Sequence, residues 1–235
     1  MRNEQLPEWE SVLSSAARLQ HIIPGAVLVG GTAAALFAKH RFSRDADHVL
    51  PDLSSRFDAI LAILESVAGW KTARVKKPVM ILGNLDGIET GVRQLIREEP
   101  LETTQLDIDG ETITVPTEAE ILRIKGVLIL KRNAVRDYLD FAALADNLGR
   151  KKFFAALRCF DEIYPQPNGE SALQQLQIQL AEPLPYDLEG TRLDEYKNLR
   201  KDWTDWNRVR QVCIDLALNI FDSKAESFSF PEGIK

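Results

Sequence analysis

Val27-Leu28-Val29-Gly30-Gly31-Thr32-Ala33, followed further on by Ser43-Arg44-Asp45-Ala46-Asp47, decides the fold. The apolar run Ala26 to Val29 suits a short buried strand, and two glycines with a hydroxyl residue turn it into a helix expected over Ala33 to His40. Glycines let an anion approach the backbone, and a helix N-terminus presents N–H groups with partial positive charge. Thr32 can add a hydroxyl hydrogen bond. Asp45 to Leu50 alternates acidic with apolar or aromatic side chains, as a half-buried strand does. Period 2 puts Asp45 and Asp47 on one face, ~7 Å apart along the chain. Two carboxylates directed at one point make an oxygen site for Mg²⁺, which keeps its waters and bridges to substrate phosphates. A phosphate cradle beside such a pair points to phosphoryl or nucleotidyl transfer.

Upstream, Trp9, Val12, Leu13, Ala16, Leu19 and Ile23 fall at helical spacing, so a helix is expected over 8–22, stopped by Pro24-Gly25. Downstream of Pro51-Asp52, Phe57, Ile60, Leu61, Leu64 and Val67 mark a long helix closed by Gly69. From Trp70 to Val115 the period is 2, and strands are expected near 71–75, 78–83, 88–97, 104–108 and 112–115. Asp86-Gly87 and Asp109-Gly110 have the chemistry of tight hairpin turns. After Pro116 the pattern is helical: the capping box Thr117-Glu118-Ala119-Glu120 starts a helix ending near Arg132. Further helices are expected at 134–147, 150–163, 169–181, 190–200 and 203–222, with a loose tail beyond. The expected class is therefore α+β: a mixed-sheet domain over 1–116, opening β-α-β-α, and a helical domain over 117–235.

Of the 235 residues, 29 are Lys or Arg and 35 are Asp or Glu, a net charge of −6. An acidic chain does not attract polyanions through its overall field, so any nucleic-acid contact must use a local basic patch. The run Lys71, Arg74, Lys76 and Lys77 is the densest such patch; Arg192, Lys197, Arg200, Lys201, Arg208 and Arg210 alternate with acids and read as an ion-paired surface. Cys159 and Cys213 match no metal or redox spacing and suggest two buried thiols in a reducing, cytoplasmic setting. Met1-Arg2-Asn3-Glu4-Gln5 lacks the order of a signal peptide, and the longest weakly polar run is too short to span a membrane. His21, His40 and His48 are scattered, which argues against zinc.

Leu28-Val29-Gly30-Gly31-Thr32-Ala33 and Ser43-Arg44-Asp45-Ala46-Asp47 resemble the first motif of the polymerase-beta-like nucleotidyltransferases, and the wider context resembles the AbiEii/AbiGii toxin-like members of type IV toxin–antitoxin systems. Lys125, Arg132 and Arg136-Asp137-Tyr138-Leu139-Asp140 resemble the later Lys and Asp motifs, so the likeness covers about residues 26 to 148. The resemblance implies that Gly30, Gly31 and Thr32 hold the phosphates of a nucleoside triphosphate, with Asp45 and Asp47 binding Mg²⁺. It further implies that Lys125 contacts the triphosphate, with Asp137, or its rival Asp140, as the acid of the helical domain. A third carboxylate is expected on a neighbouring strand: Glu89 is mid-strand, whereas Asp86 lies in the turn. His48 departs from the pattern, standing where an apolar residue is usual. The implied activity is transfer of a nucleoside monophosphate to an acceptor hydroxyl, the tRNA 3′ end in many members, under restraint by a cognate antitoxin.

Other readings compete at each position. Lys125 interrupts an apolar helix and could snorkel; Asp137 could form an ordinary helix salt bridge with Lys131, Arg132, Arg136 or Lys125. Arg44 could contact phosphate or balance the carboxylates, and Tyr196, Trp203 and Trp206 read as packing residues. A catalytically inactive nucleotide-binding or regulatory protein keeping the fold is the principal alternative function. A doubly wound cofactor binder lacks its Gly-x-Gly-x-x-Gly spacing.

Overall fold

The computed structural model describes residues 8–227, with side chains described through residue 222. The opening pentapeptide and residues 228–235 of the expected tail lie outside the described residues. The chain divides into two compact units, Met1–Ile121 and Leu122–Lys235.

The first unit is built on a five-stranded sheet in the order β1-β2-β5-β4-β3. Its strands are β1 (Val27–Leu28), β2 (Asp45–Leu50), β3 (Trp70–Lys76), β4 (Met80–Leu85) and β5 (Ile88–Gln94). β2 and β5 run parallel and the other neighbours antiparallel, so the sheet is mixed. Asp86 and Gly87 both take positive φ, the backbone of a two-residue turn whose twist matches its strands, and join β4 to β5. Asp109 and Gly110 do the same between β6 (Thr103–Ile108) and β7 (Glu111–Pro116), a separate two-stranded sheet.

Helices α1 (Trp9–Ile22) and α3 (Leu53–Ser66) supply the apolar cover of this unit. Val12, Leu13 and Ala16 of α1 join Leu28, Ala46 and Ile88 in one cluster. Leu19 with Phe57, Ile60 and Leu64 joins Leu50, Ile81, Leu85 and Val92 in the other. Fully burying each of the larger side chains stabilises the unit by about 1.5–3 kcal/mol. The alternation in β2 is therefore a division of labour: Ala46, His48 and Leu50 are buried, while Asp45, Asp47 and Val49 are half-buried on the opposite face. His48 fills a core position as a neutral imidazole, its pKa lowered to about 4 chiefly by burial.

The expected capping box forms only in part. Thr117 Oγ1 accepts the Glu120 amide at 3.2 Å, but the Glu120 carboxylate is buried against Arg97 at 2.7 Å and does not reach back to Thr117. A carboxylate with 0% exposure takes the partner that neutralises it.

The second unit is helical. The division falls inside α4 (Glu118–Arg132), after which come α5 (Val135–Leu157), α6 (Phe160–Ile163), α7 (Ala172–Ala181) and α8 (Trp206–Ser227). Gly149, at φ 71° and ψ 162°, breaks α5 where a boundary between two helices is expected. The helix expected over 150–163 stops at Leu157, and α8 runs on through Ser227, beyond the expected end at 222. The helix expected over 190–200 does not form. Two 3₁₀ turns, Leu193–Glu195 and Lys201–Trp203, stand there instead. Only Leu193 and Trp203 of that stretch are buried, Asn198 sits at φ 52°, and Arg192 and Arg200 pair with acids two residues on.

Candidate active site

Helix α2 (Gly30–Ala38) starts on the first glycine, immediately after β1. Gly30 takes φ +73°, and a Cβ there would lie 3.6 Å from the Asp47 Cβ and 3.7 Å from its Oδ2. The bend and the second acid are thus immediate neighbours, held together by the Val29 amide donating to the Asp47 carbonyl at 2.8 Å. No side chain caps α2, and its first turn holds no acid. Its leading amides are therefore available to an exogenous anion, with the helix dipole behind them.

Thr32 departs from expectation. Its hydroxyl donates to the Asp45 carbonyl and the residue is 1% exposed, so the side chain ties α2 to β2 and does not face a phosphate. The hydroxyl serves a backbone acceptor that would otherwise be poorly satisfied at the strand start.

Ser43 Oγ donates to Asp45 Oδ1 at 2.7 Å, which orients that carboxylate from the preceding loop. Arg41, 7% exposed, lies over the second glycine: a Cβ on Gly31 would come within 2.3 Å of its Nη2 and 3.1 Å of Ser43 Oγ. Both residues lie just before the acid pair, and residue spacing does not single out Arg41. The only signal was a cation near two glycines. Arg44 is exposed.

Strand pairing places the two candidates for a third carboxylate differently. β2 and β5 are in register with Asp45 opposite Glu89 and Asp47 opposite Gly91. Cα-paired residues project from the same face, so Glu89 stands beside Asp45. Asp86 occupies the turn and pairs with Arg18. Arg93 Nε lies 3.7 Å from Asp47 Oδ1, a contact between groups 44% and 33% exposed, which water screens.

Among the described residues no three His, Cys, Asp or Glu side chains are already gathered into a metal cage. The donor set still suits Mg²⁺: three carboxylates on one sheet face, half-buried or exposed, beside a helix end that attracts anions. A phosphate drawn to that helix end would meet repulsion from the same carboxylates, which a divalent cation held by them would offset. The three histidines do not enter the site: His21 is exposed, and His40 and His48 are buried.

In the second unit the two motif acids and the lysine do meet. Lys125 Nζ lies 2.6 Å from Asp140 Oδ2 and 3.5 Å from Asp137 Oδ1. Arg132 grips Asp137 in a bidentate pair through its Nε–Nη2 edge, with Nη2 2.7 Å from Oδ1. Lys125, Asp137 and Asp140 are each at most 1% exposed, so Lys125 does not snorkel. Its ammonium lies in a quartet of two cations and two carboxylates whose charges balance one another. Asp140, the expected rival, is its nearer partner.

Comparison with known proteins identifies the family and the fold. The family model for the nucleotidyl transferase AbiEii toxin of type IV toxin–antitoxin systems matches residues 12–209. A candidate nucleotidyltransferase from H. pylori superposes with a TM-score of 0.54 at 16% identity, covering 97% of this chain and 100% of that one. JHP933 from Helicobacter pylori superposes with a TM-score of 0.53 at 16% identity, covering 97% of each chain. At that identity the likeness is one of fold. Over 129 residues, 54% of this chain, the sequence is 33% identical to the mycolic acid-containing lipids exporter MmpL11 of Mycolicibacterium smegmatis. It is 35% identical over the same length to the heme uptake protein MmpL11 of Mycobacterium tuberculosis. The matched stretch spans only 13% of either transporter, and among the described residues no helix is long and apolar enough to cross a membrane. With the family model covering most of its length, the chain belongs to the AbiEii nucleotidyltransferases, the toxins of type IV toxin–antitoxin systems.

Proposed function

We propose that the protein transfers a nucleoside monophosphate from a nucleoside triphosphate to an acceptor hydroxyl, the tRNA 3′ end being the first acceptor to test, and that a cognate antitoxin restrains it. The observation that carries this reading is the Asp45–Glu89 register beside the uncapped α2 N-terminus. The amides of Gly30 and Gly31 bind and orient the triphosphate, and the Arg41 guanidinium lies close enough to Gly31 to share its charge. Ser43 fixes the rotamer of Asp45, and Thr32 fixes the strand that carries it. Asp45, Asp47 and Glu89 would hold Mg²⁺, which when bound neutralises phosphate charge and lowers the pKa of the acceptor hydroxyl. Glu89, the most exposed of the three, would receive the acceptor's proton. Arg93 releases Asp47 readily, because an exposed pair at 3.7 Å contributes at most about 1 kcal/mol. Lys125, Asp137, Asp140 and Arg132 act as positioning residues within the helical unit.

The test is incubation with each α-³²P-labelled nucleoside triphosphate, Mg²⁺ and total tRNA. Labelled RNA is expected with the wild type and not with Asp45→Asn or Asp47→Asn. Label transferred equally by both variants would reject the site. That no three acids among the described residues are already gathered into a metal cage favours the second reading, a nucleotide-binding protein without turnover. Calorimetric binding of a triphosphate with no labelled product from any of the four nucleotides would select it.

A further inference from the structure

The sheet face that carries the three carboxylates also carries an unneutralised basic track. Across the sheet, Asp45 pairs with Glu89, Glu89 with Asn84, and Asn84 with Lys71. All four therefore share one face. Simple alternation would then send Arg74 and Lys76 to the opposite face from Lys71. The register shift between Thr72 and Arg74 prevents this: after it Arg74 pairs with Leu82 and Lys76 with Met80, which share a face with Asn84. A β-bulge is the ordinary means of re-aiming side chains, and here it aligns three cations. Lys71, Arg74 and Lys76 are all exposed, and among the described residues none of them forms an ion pair. Their neighbour Lys77 is paired with Asp58 at 2.6 Å.

We infer that this face binds the phosphodiester backbone of a single-stranded nucleic acid, whose terminal hydroxyl reaches Asp45, Asp47 and Glu89 from the β3 edge. The inference rests on the transfer reading above for the role of that hydroxyl, but not for the binding surface itself. Adjacent rows of a face are ~7 Å apart, so the three cations form an extended ladder of positive charge. From Lys71 to Asp45 is three strand spacings, ~14 Å. That is the length of about four nucleotides at the ~3.4 Å rise of a stacked strand. Between them the face includes Gly91, which has no side chain, with Leu82 packed against it. Addition of a peptide strand to β3 is opposed by the bulge and by cations along its edge. No aromatic side chain stands at these strand positions, so recognition is through phosphates, indifferent to base sequence and sensitive to salt.

The experiment measures anisotropy of a fluorescein-labelled 12-nucleotide RNA against salt for the wild type, K71Q/R74Q/K76Q and Asp45→Asn. At 0.1 M salt the triple variant is expected to bind about tenfold more weakly. Its slope of log K against log salt should be shallower by about 2, from ~0.7 per phosphate contact over three contacts. Asp45→Asn is expected to bind at least as tightly as the wild type. If it does, and no variant or wild type transfers label, the transfer reading falls while the binding surface stands. Equal affinity and slope for the wild type and triple variant would overturn the surface, as would competition by poly-glutamate as effective as that by unlabelled RNA. Should the triple variant melt early, each single variant is expected to lose ~0.7 of slope, and unchanged single slopes overturn it equally.

Discussion

Asp45 on β2 and Glu89 on β5 stand directly opposite one another in a parallel strand pair, so two acids separated by 44 positions share one sheet face. Their repulsion is tolerable when exposed and favours a bound cation between them. Asp86 sits instead at positive φ in the β4–β5 turn, where it pairs with Arg18.

This distinction is testable by substitution. Glu89→Gln is expected to lower transfer about 10²-fold or more, the equivalent of several kcal/mol of lost transition-state stabilisation. Asp86→Asn keeps a residue suited to positive φ and removes only an exposed ion pair, so transfer should stay within about twofold and stability within about 1 kcal/mol. Equal losses in both variants would exclude Glu89 as the third carboxylate.

Gly91 is required by close packing. A Cβ there would approach the Ile81 carbonyl oxygen to 2.5 Å and Leu82 Cα to 2.9 Å, and backbone cannot move aside cheaply. Gly91→Ala should destabilise the fold by about 1–3 kcal/mol and lower the melting temperature by several degrees. A melting curve that overlays the wild type would contradict the register of β4 and β5.

The buried quartet makes an asymmetric prediction. Asp140→Leu leaves the enclosed Lys125 ammonium without its 2.6 Å partner and should cost about 3–5 kcal/mol in denaturant unfolding. Adding Lys125→Met removes the stranded charge, while Asp137 keeps Arg132, so the double variant should recover most of the loss. A double variant no more stable than Asp140→Leu would show that the two side chains are not coupled.

Stability should also fall in alkali for an identifiable reason. Burial raises the Cys213 thiol above its usual 9.0, and burial likewise raises Tyr138 above its usual 10.0. In the folded state both stay protonated, whereas the unfolded chain releases their protons. The stability they contribute is therefore complete below about pH 9 and is lost as pH rises beyond it, by up to about 1.4 kcal/mol per pH unit per group. Unfolding free energies measured at pH 8, 9 and 10 should fall less steeply for Cys213→Ala than for the wild type. The half-buried Cys159 should also be alkylated by iodoacetamide well before the buried Cys213.

Much of the fold was legible because local chemistry and global packing agree. The Asp-Gly pairs mark both hairpins, and the period-2 run of β2 and the apolar spacing of α1 and α3 each specify a buried face. The stretch 190–200 misleads because Leu193, Tyr196 and Leu199 recur at helical spacing. The unit buries only Leu193 among them, and without a buried stripe the local turns and Arg–Asp pairs prevail. Two buried thiols were expected, and only Cys213 is fully enclosed.

The sequence by itself determined that a glycine bend feeds a helix start, that Asp45 and Asp47 share a face, and that a strand-rich stretch precedes helices. Those are consequences of backbone permissiveness and of strand periodicity, which act over a few residues. Tertiary structure alone decided which acid stands beside Asp45, that Thr32 serves the backbone, and that Lys125 is enclosed by two carboxylates. Alternation assigns a residue to a face but does not choose the neighbouring strand or its register, and a lysine's partners depend on how helices distant in sequence pack.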